Sequence, residues 1–412
     1  MLPEGWETST VGAHTEVLTG FAFKSEDYIS SVDGMKLLRG DNVGQGRLRW
    51  RDVKRYPQSQ AANLARYELQ AGDFVIAMDR TWIPAGVKIS EVRPHDLPCL
   101  LVQRVARLRT KPSLRQDLLR QFFAGHRFEQ FVKGVQTETA VPHISPNDVK
   151  SFEIALPPLP EQRKIAEILS TWDAAIGVQE RLIANAKRQK KALMQTLLPT
   201  GAQPPKKRLP GFSGDWREIK LRELGRCYNG VTYAPADVID GDGLLILRSS
   251  NVQNGRLDFA DKVFVKPNVK TSCLTREGDI LICVRNGSRN LIGKTARITS
   301  DATGHAHGAF MSLFRSTEPD FAYHLFKSHA YEQQVKRNLG ATINSINTSD
   351  LHDFRFMVPP KPERARIAEI LSANDCEIEQ HEKLLLGICL QKSALMQQLL
   401  TGKRRVRVEE LA

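Results

Sequence analysis

At 412 residues, 41% of them hydrophobic, the chain is too long for one compact core and should form two or more globular domains. No apolar run reaches the roughly 18 residues that span a bilayer, and Met1-Leu2-Pro3-Glu4-Gly5-Trp6-Glu7 has no basic region followed by an apolar stretch, so no membrane association, no export and a cytoplasmic location are expected. The formal net charge of +13 and the pI near 9.5 suggest a polyanionic partner, although charge alone does not separate that from a merely basic soluble protein.

Taken in chain order, residues 1–156 read as a mixed α+β domain, with a strand at Phe74-Val75-Ile76-Ala77-Met78 and a helical piece near 113–123. Pro157-Pro158-Leu159-Pro160-Glu161 then opens a long helix over 157–199, with Glu161 beside its positive N-terminus. Pro199, Thr200 and Gly201 stop it, and 200–210, with Pro204-Pro205-Lys206-Lys207-Arg208, is a basic Pro-rich linker. A second α+β domain over 211–358 carries strands at Leu244-Leu245-Ile246-Leu247, Lys262-Val263-Phe264-Val265 and Asp279-Ile280-Leu281-Ile282-Cys283-Val284, and a helical stretch near 321–338. A second long helix over 359–402 and a basic tail over 403–412 complete the chain. That tail reads as a solvated helix end that could also touch phosphates.

The chain repeats itself. Pro157-Pro158-Leu159-Pro160-Glu161-Gln162-Arg163-Lys164-Ile165-Ala166-Glu167-Ile168-Leu169-Ser170 returns 202 residues later as Pro359-Pro360-Lys361-Pro362-Glu363-Arg364-Ala365-Arg366-Ile367-Ala368-Glu369-Ile370-Leu371-Ser372. This period is far beyond the roughly 20–50 residues of a solenoid, so it marks a duplicated domain. In both helices apolar residues step by four and three alternately, from Ile165, Leu169 and Trp172 to Leu197 and from Ile367, Leu371 and Asn374 to Leu399. That spacing is a coiled-coil seam. Gln179 with His381 and Lys190 with Lys392 put polar residues at matching seam positions, as devices for register. Two helices packed separately on their own domains are the alternative. Leu182, Leu193, Leu197 and Leu384 to Leu386 read as coil core, with only their outward neighbours left to dock a partner. The repeat persists thinly in the globular parts, where Arg39 and Asn42 match Arg248 and Asn251, and Gly72-Asp73 matches Gly278-Asp279.

Catalytic motifs are not found. Five residues separate Gly287 from Gly293 in Gly287-Ser288-Arg289-Asn290-Leu291-Ile292-Gly293-Lys294-Thr295, where a P-loop needs four. Glu218-Ile219-Lys220 has a nuclease-like spacing without paired acids, and no base-methylation motif or S-adenosylmethionine loop occurs. His305 and His307 bracket one residue but have no third ligand nearby, and six cysteines without C-x-x-C spacing read as free thiols.

Two divergent α+β halves, each followed by a P-P-x-P-E helix ending A-L-M-Q-x-L-L, resemble the specificity subunit of type I restriction–modification systems over essentially the whole chain. The resemblance implies two similar target recognition domains, each followed by a long helix, the two helices pairing as an antiparallel coiled coil. It implies a non-catalytic subunit that reads a bipartite double-stranded DNA target with a non-specific spacer. Its partners would be two methyltransferase subunits, with S-adenosylmethionine on the methyltransferase, and restriction/translocase subunits that carry ATP and Mg. No cofactor is expected on this chain. The second copy departs from the motif at Arg364, where a Gln is usual. From Glu161 to Leu198, 38 residues at about 1.5 Å each make a rod of roughly 57 Å, long enough for domains at its ends to reach successive major grooves about 34–36 Å apart.

Base reading needs side chains that donate or accept at base edges. Four loop regions supply them: Phe23 and Lys24 with Thr232 and Tyr233; Asp79, Arg80, Thr81 and Trp82 with Arg285, Asn286, Ser288, Arg289 and Asn290; Thr139, Pro142 and His143 with Thr342, Asn344 and Asn347; and Arg39 and Asn42 with Arg248 and Asn251. The last group is shared by both halves, which suits a phosphate or structural role better than distinct readout, whereas the divergent loop from Arg285 to Asn290 suits specificity. For each single residue, phosphate contact or plain solvation stands beside base contact. A coiled-coil scaffold with two protein-binding heads and a self-sufficient DNA-modifying enzyme are the competing functions. Salt-sensitive duplex binding separates the first from DNA recognition, and activity of the chain alone separates the second.

Overall fold

The computed structural model describes residues 2–200, 208–266, 269–339 and 344–408. Most of the basic linker (201–207), Thr342 and the end of the tail (409–412) lie outside the described residues. The chain divides into two compact units, one of Met1–Glu180 with Lys383–Ala412 and one of Arg181–Glu382, so each unit holds one end of each long helix.

In the first unit, strands Thr15–Thr19, Val105–Thr110, Phe74–Ala77 and Ile89–Glu91 form an antiparallel sheet in that spatial order. Phe74, Val75, Ile76 and Ala77 are all buried, because the sheet is covered on both faces. One face meets helices Gln116–Ala124 and His126–Val135 through Leu118, Leu119, Phe122, Phe123 and Phe128. The other meets the small sheet of Arg55–Tyr56, Met35–Leu38 and Cys99–Leu101, whose last two strands run parallel. Glu7–Thr10 pairs with Glu153–Leu156 and ties the start of the unit to the residues before the first long helix.

The second unit repeats this plan. Gly225–Asn229, Met311–Ser316, Ile280–Cys283 and Thr295–Arg297 form the four-stranded sheet. Phe264–Val265, Leu244–Leu247 and Ala306–His307 form the small one, with Val238–Ile239 added at its edge. Arg217–Lys220 pairs with Arg355–Val358. The helical stretch expected near 321–338 is two helices, Pro319–Phe326 and His329–Leu339.

Duplicated polar locks hold both sheets. Arg109 donates to both oxygens of buried Asp73 at 2.7 and 2.8 Å, and Arg315 does the same to Asp279 at 2.9 and 2.7 Å. Those charge-assisted bonds hold both guanidinium groups above their ordinary pKa. Gly20 and Gly230 each sit where a Cβ would strike the neighbouring backbone, at Val102 O (2.3 Å) and Gly308 O (2.0 Å), and only glycine permits that approach.

The two long helices, Leu159–Leu197 and Lys361–Leu399, span 39 residues each. In the first unit Ile165, Ala166 and Leu169 share a core with Met396, Leu399 and Leu400. In the second, Leu197 and Leu198 share one with Ile367, Ala368 and Leu371. The start of one helix packs on the end of the other in both units, so the helices pair antiparallel. Each expected seam position is buried or half-buried. Lys392 Nζ meets Asp173 at 2.6 Å, and Lys190 meets Asp375. These two pairs are related by the 202-residue repeat and fix the register from both directions. The expectation fails for Leu182, Leu384 and Leu386, which are exposed, because the helical period points the adjoining Ile183 and Leu385 inward instead.

Each helix start is strapped. Trp6 Nε1 donates to buried Glu161 at 3.1 Å and Arg405 donates to it at 2.8 Å, so one residue of the basic tail is a clamp, while Lys403, Arg404 and Arg407 are exposed as a solvated end would be. Arg208 holds Glu363 in the same way at 2.7 Å. The departure at Arg364 is compensated: Gln162 bonds Ser113 O, Pro157 O and the Arg115 amide, while Arg364 forks onto Glu318 at 2.8 Å twice and reaches Pro359 O.

Candidate nucleic-acid interface

The shared pair of loops is built on the same plan in both halves. Arg39 N donates to Asn42 Oδ1 at 3.0 Å, Asn42 Nδ2 donates to Arg49 O at 2.9 Å, and the Arg39 guanidinium meets Asp52 at 3.2 Å. In the second half Arg248 N donates to Asn251 Oδ1 at 2.8 Å, Asn251 Nδ2 donates to Asp258 O at 2.9 Å and Asp261 O at 2.6 Å, and Arg248 meets Asp261 at 2.6 Å. Asn42 and Asn251 are buried with their amides consumed by backbone. Neither presents an edge to a base, which corrects their place among candidate DNA contacts.

Two further expected residues are internal. Thr81 is buried and its hydroxyl donates to Ala77 O at 2.6 Å. Phe23 is buried in an aromatic nest, 5.0 Å from Phe21 and 4.9 Å from Tyr56 between ring centroids. Trp82 is half-buried, with Nε1 donating to Glu129 at 3.1 Å and Lys133 4.5 Å over its ring, so it anchors its loop to a helix. Asn347 starts the short helix Thr348–Asp353, its amide donating to Asp350 at 3.2 Å. Exposure remains with Lys24, Arg80, Thr232, Arg285, Ser288, Asn290, Asn344 and Asn347.

In the second half several of these converge. Thr232, Tyr233, Arg248, Ser249, Gly308 and Phe310 line a cleft of about 580 Å³. Asn286 Nδ2 donates to Ser249 Oγ at 2.9 Å, and the Arg285 guanidinium lies 5.9 Å over the ring of Phe310. A separate cleft of about 620 Å³ gathers Arg289, Asn290, Lys294, Lys327 and Lys336. Donor-rich loops beside a flat aromatic ring suit an acceptor-lined groove and a phosphate backbone.

In the first half the matching tip is ionic. His143 Nδ1 lies 2.7 Å from Asp79 Oδ1, and Arg104 lies 3.6 Å from the same oxygen. Arg80 has φ 47°, an uncommon value for a residue with a Cβ, held by its amide donating to Pro142 O at 2.6 Å.

No metal cage appears among the described residues, where no three His, Cys, Asp or Glu side chains cluster suitably. His307 is buried with each ring nitrogen 3.1 Å from a carbonyl, of Cys273 and of Tyr228, and burial lowers its pKa. Among the described residues no helix is long and apolar enough to cross a membrane.

Comparison with known proteins settles the kinship. The model of the type I restriction modification DNA specificity domain matches twice, over 3–188 and 214–387. The chain belongs to the type I restriction–modification specificity family. As a member it is a DNA-specificity subunit, a recognition chain that is not itself catalytic, and it assembles into a restriction–modification complex. The chain is 35% identical over 183 residues to the EcoAI specificity subunit of Escherichia coli, a match covering 44% of this chain and 30% of that one. It is 25% identical over 428 residues to the putative MjaX specificity subunit of Methanocaldococcus jannaschii, covering 98% and 95%. A solved chain of a type I restriction–modification system superposes with a TM-score of 0.59 over 98% of this chain and 100% of that one, at 19% identity, a likeness of fold.

Sequence reasoning about this specificity subunit missed Arg104, Phe310 and Ser345 at the loop tips. Arg104 and Phe310 come from chain segments outside the candidate loops, whereas Ser345 lies within the third of them, between Asn344 and Asn347. The available signal lay elsewhere: Arg39, Asn42 and Asp52 recur with identical spacing as Arg248, Asn251 and Asp261, as a structural lock would.

Proposed function

We propose that each globular half reads one short segment of duplex DNA, residues 1–156 one segment and residues 211–358 the other, with the linker 200–210 joining the halves. The paired helices, 157–199 and 359–402, set the unread spacer between segments. The observation that carries this reading is the repeated sheet and loop frame that ends in dissimilar side chains, Asp79 and His143 in one half and Arg285 and Ser345 in the other. A scaffold with two protein-binding heads would leave the +13 charge and the donor-rich loops without a task.

Lys24, Arg80, His143, Tyr233, Arg285 and Asn290 are the side chains proposed to face DNA. Two methyltransferase subunits with their S-adenosylmethionine, and restriction–translocase subunits with ATP and Mg, are the proposed partners, in the cytoplasm. The exposed Leu384, Leu386 and Leu390 on the second helix are proposed to take a methyltransferase. Duplex binding across salt concentrations is the test. Affinity should fall steeply, by about 0.9 log units per tenfold salt for each phosphate neutralised. Salt-insensitive binding, or none, would refute DNA recognition by this chain.

A further inference from the structure

Three chain segments meet at the tip of each four-stranded sheet, in one hydrogen-bonded frame. In the first half Met78 N donates to Arg104 O at 2.9 Å, Ile144 N donates to Met78 O at 2.9 Å, and Asp79 pairs with His143 across an antiparallel bridge. In the second half Val284 N donates to Phe310 O at 3.0 Å, Ile346 N donates to Val284 O at 2.8 Å, and Arg285 pairs with Ser345. The backbone therefore places Asp79, Arg104 and His143 where it places Arg285, Phe310 and Ser345. The flanking residues are alike, Met78 with Val284 and Ile144 with Ile346, and they are buried or half-buried. Only the three tip side chains differ in chemical kind.

We propose that these three positions are the specificity-determining positions of each half, and that Arg104 and Phe310, which no motif marks, belong to them; this rests on the DNA-reading function proposed above. The second-half tip offers a guanidinium whose central carbon lies 5.9 Å from the centroid of the Phe310 ring, with Phe310 57% exposed. A guanidinium is donor-only and planar, and it matches the paired acceptors O6 and N7 of guanine in the major groove. The first-half tip offers a carboxylate whose Oδ1 is bound by His143 and approached by Arg104. Its other oxygen accepts from an exocyclic amino group, of cytosine or adenine, while the Arg104 side chain, 63% exposed, adds a donor for a neighbouring acceptor. A purely structural strap would need similar side chains at the same frame positions in both halves, as the Arg–Asn–Asp lock has. The tips lack them.

The experiment is selection of bound duplexes from a library randomised over both target segments, using the subunit in complex with its methyltransferase. Arg285→Gln and Phe310→Leu should relax preference by about tenfold or more at one or two base pairs of one segment, and leave the other segment as in wild type. Asp79→Asn with Arg104→Asn should do the reverse, asparagine tolerating the φ of 65° at position 104. Hydrogen exchange across the sheet should match wild type in each variant. Uniformly weaker binding with unchanged preferences would overturn the proposal in favour of phosphate contacts, and unchanged binding would remove the tips from the interface. A wild-type complex that selects no sequence would overturn the DNA-reading function itself, and the tip assignment with it.

Discussion

Replacing Asn251 by alanine separates a structural lock from a base reader. The side chain is buried and makes three hydrogen bonds, accepting from Arg248 N and donating to Asp258 O and Asp261 O. Losing three bonds at about 1 kcal/mol each costs about 3 kcal/mol, since Asp258 and Asp261 are exposed and water can replace part of what their carbonyls lose. The expense falls on the loops around the small sheet, since Asp261 also carries Arg248. The chain has two compact units, so the readout is hydrogen exchange by peptide over residues 244–266, which reports on the second unit by itself. Protection there should collapse, while the first unit exchanges as in wild type. Asn251→Asp should be at least as harmful, because it turns a carboxylate toward two carbonyl oxygens. Wild-type protection in Asn251→Ala together with a changed base preference at one position would refute the structural assignment and restore Asn251 as an adenine reader.

The crossed seam pairs should respond unequally. Asp173→Ala strands buried Lys392 and removes the partner of Gln121 Nε2 (2.8 Å), costing about 2 kcal/mol once discounted for the 43% exposure of Asp173; Lys392→Met leaves a carboxylate that water reaches and costs under about 1 kcal/mol, with both read by exchange in the first unit. His324 is buried beside Lys190, and burial with that charge pushes its pKa down to about 3. The unfolded chain, titrating near 6.5, then binds the extra proton first, so the second unit keeps this contribution above pH 6.5 and loses it as pH falls toward 3, by about 2 kcal/mol at pH 5. His324→Gln, which preserves a bond to Ser372, should flatten that slope in pH-resolved exchange. Inserting seven residues at facing positions of both long helices adds about 10 Å, and the selected spacer should lengthen by about three base pairs; an unchanged spacer would mean that the helices do not set it.

The helices were legible because their signal is periodic and local. Ile165, Leu169 and Ile183 recur at a spacing only an inward seam explains, and Glu161 with Glu363 announces a duplication on its face. The same periodicity did not separate Ile183 from Leu182 at the edge of the stripe, where one residue is a rotation of about 100°. The strand cores were legible from runs such as Ile280 to Cys283, with ends placed a residue or two off. The straps were not legible: Arg405 and Glu161 are 244 residues apart, and nothing local marks a partner at that distance. The candidate interface was only partly legible for a related reason. Its loops carry turn and donor residues that sequence shows, but whether a side chain faces water or its own backbone depends on contacts such as Thr81 to Ala77 O. Arg104 and Phe310 reach the tips through strand pairing, and composition holds no trace of it.

The most direct measurement is base-modification mapping of a host genome carrying this chain with its methyltransferase, against the same host without the chain. N6-methyladenine should appear at a two-part motif with a fixed unread spacer. Marks on a single continuous motif, or none despite a stable complex of the two proteins, would contradict reading by two separate halves.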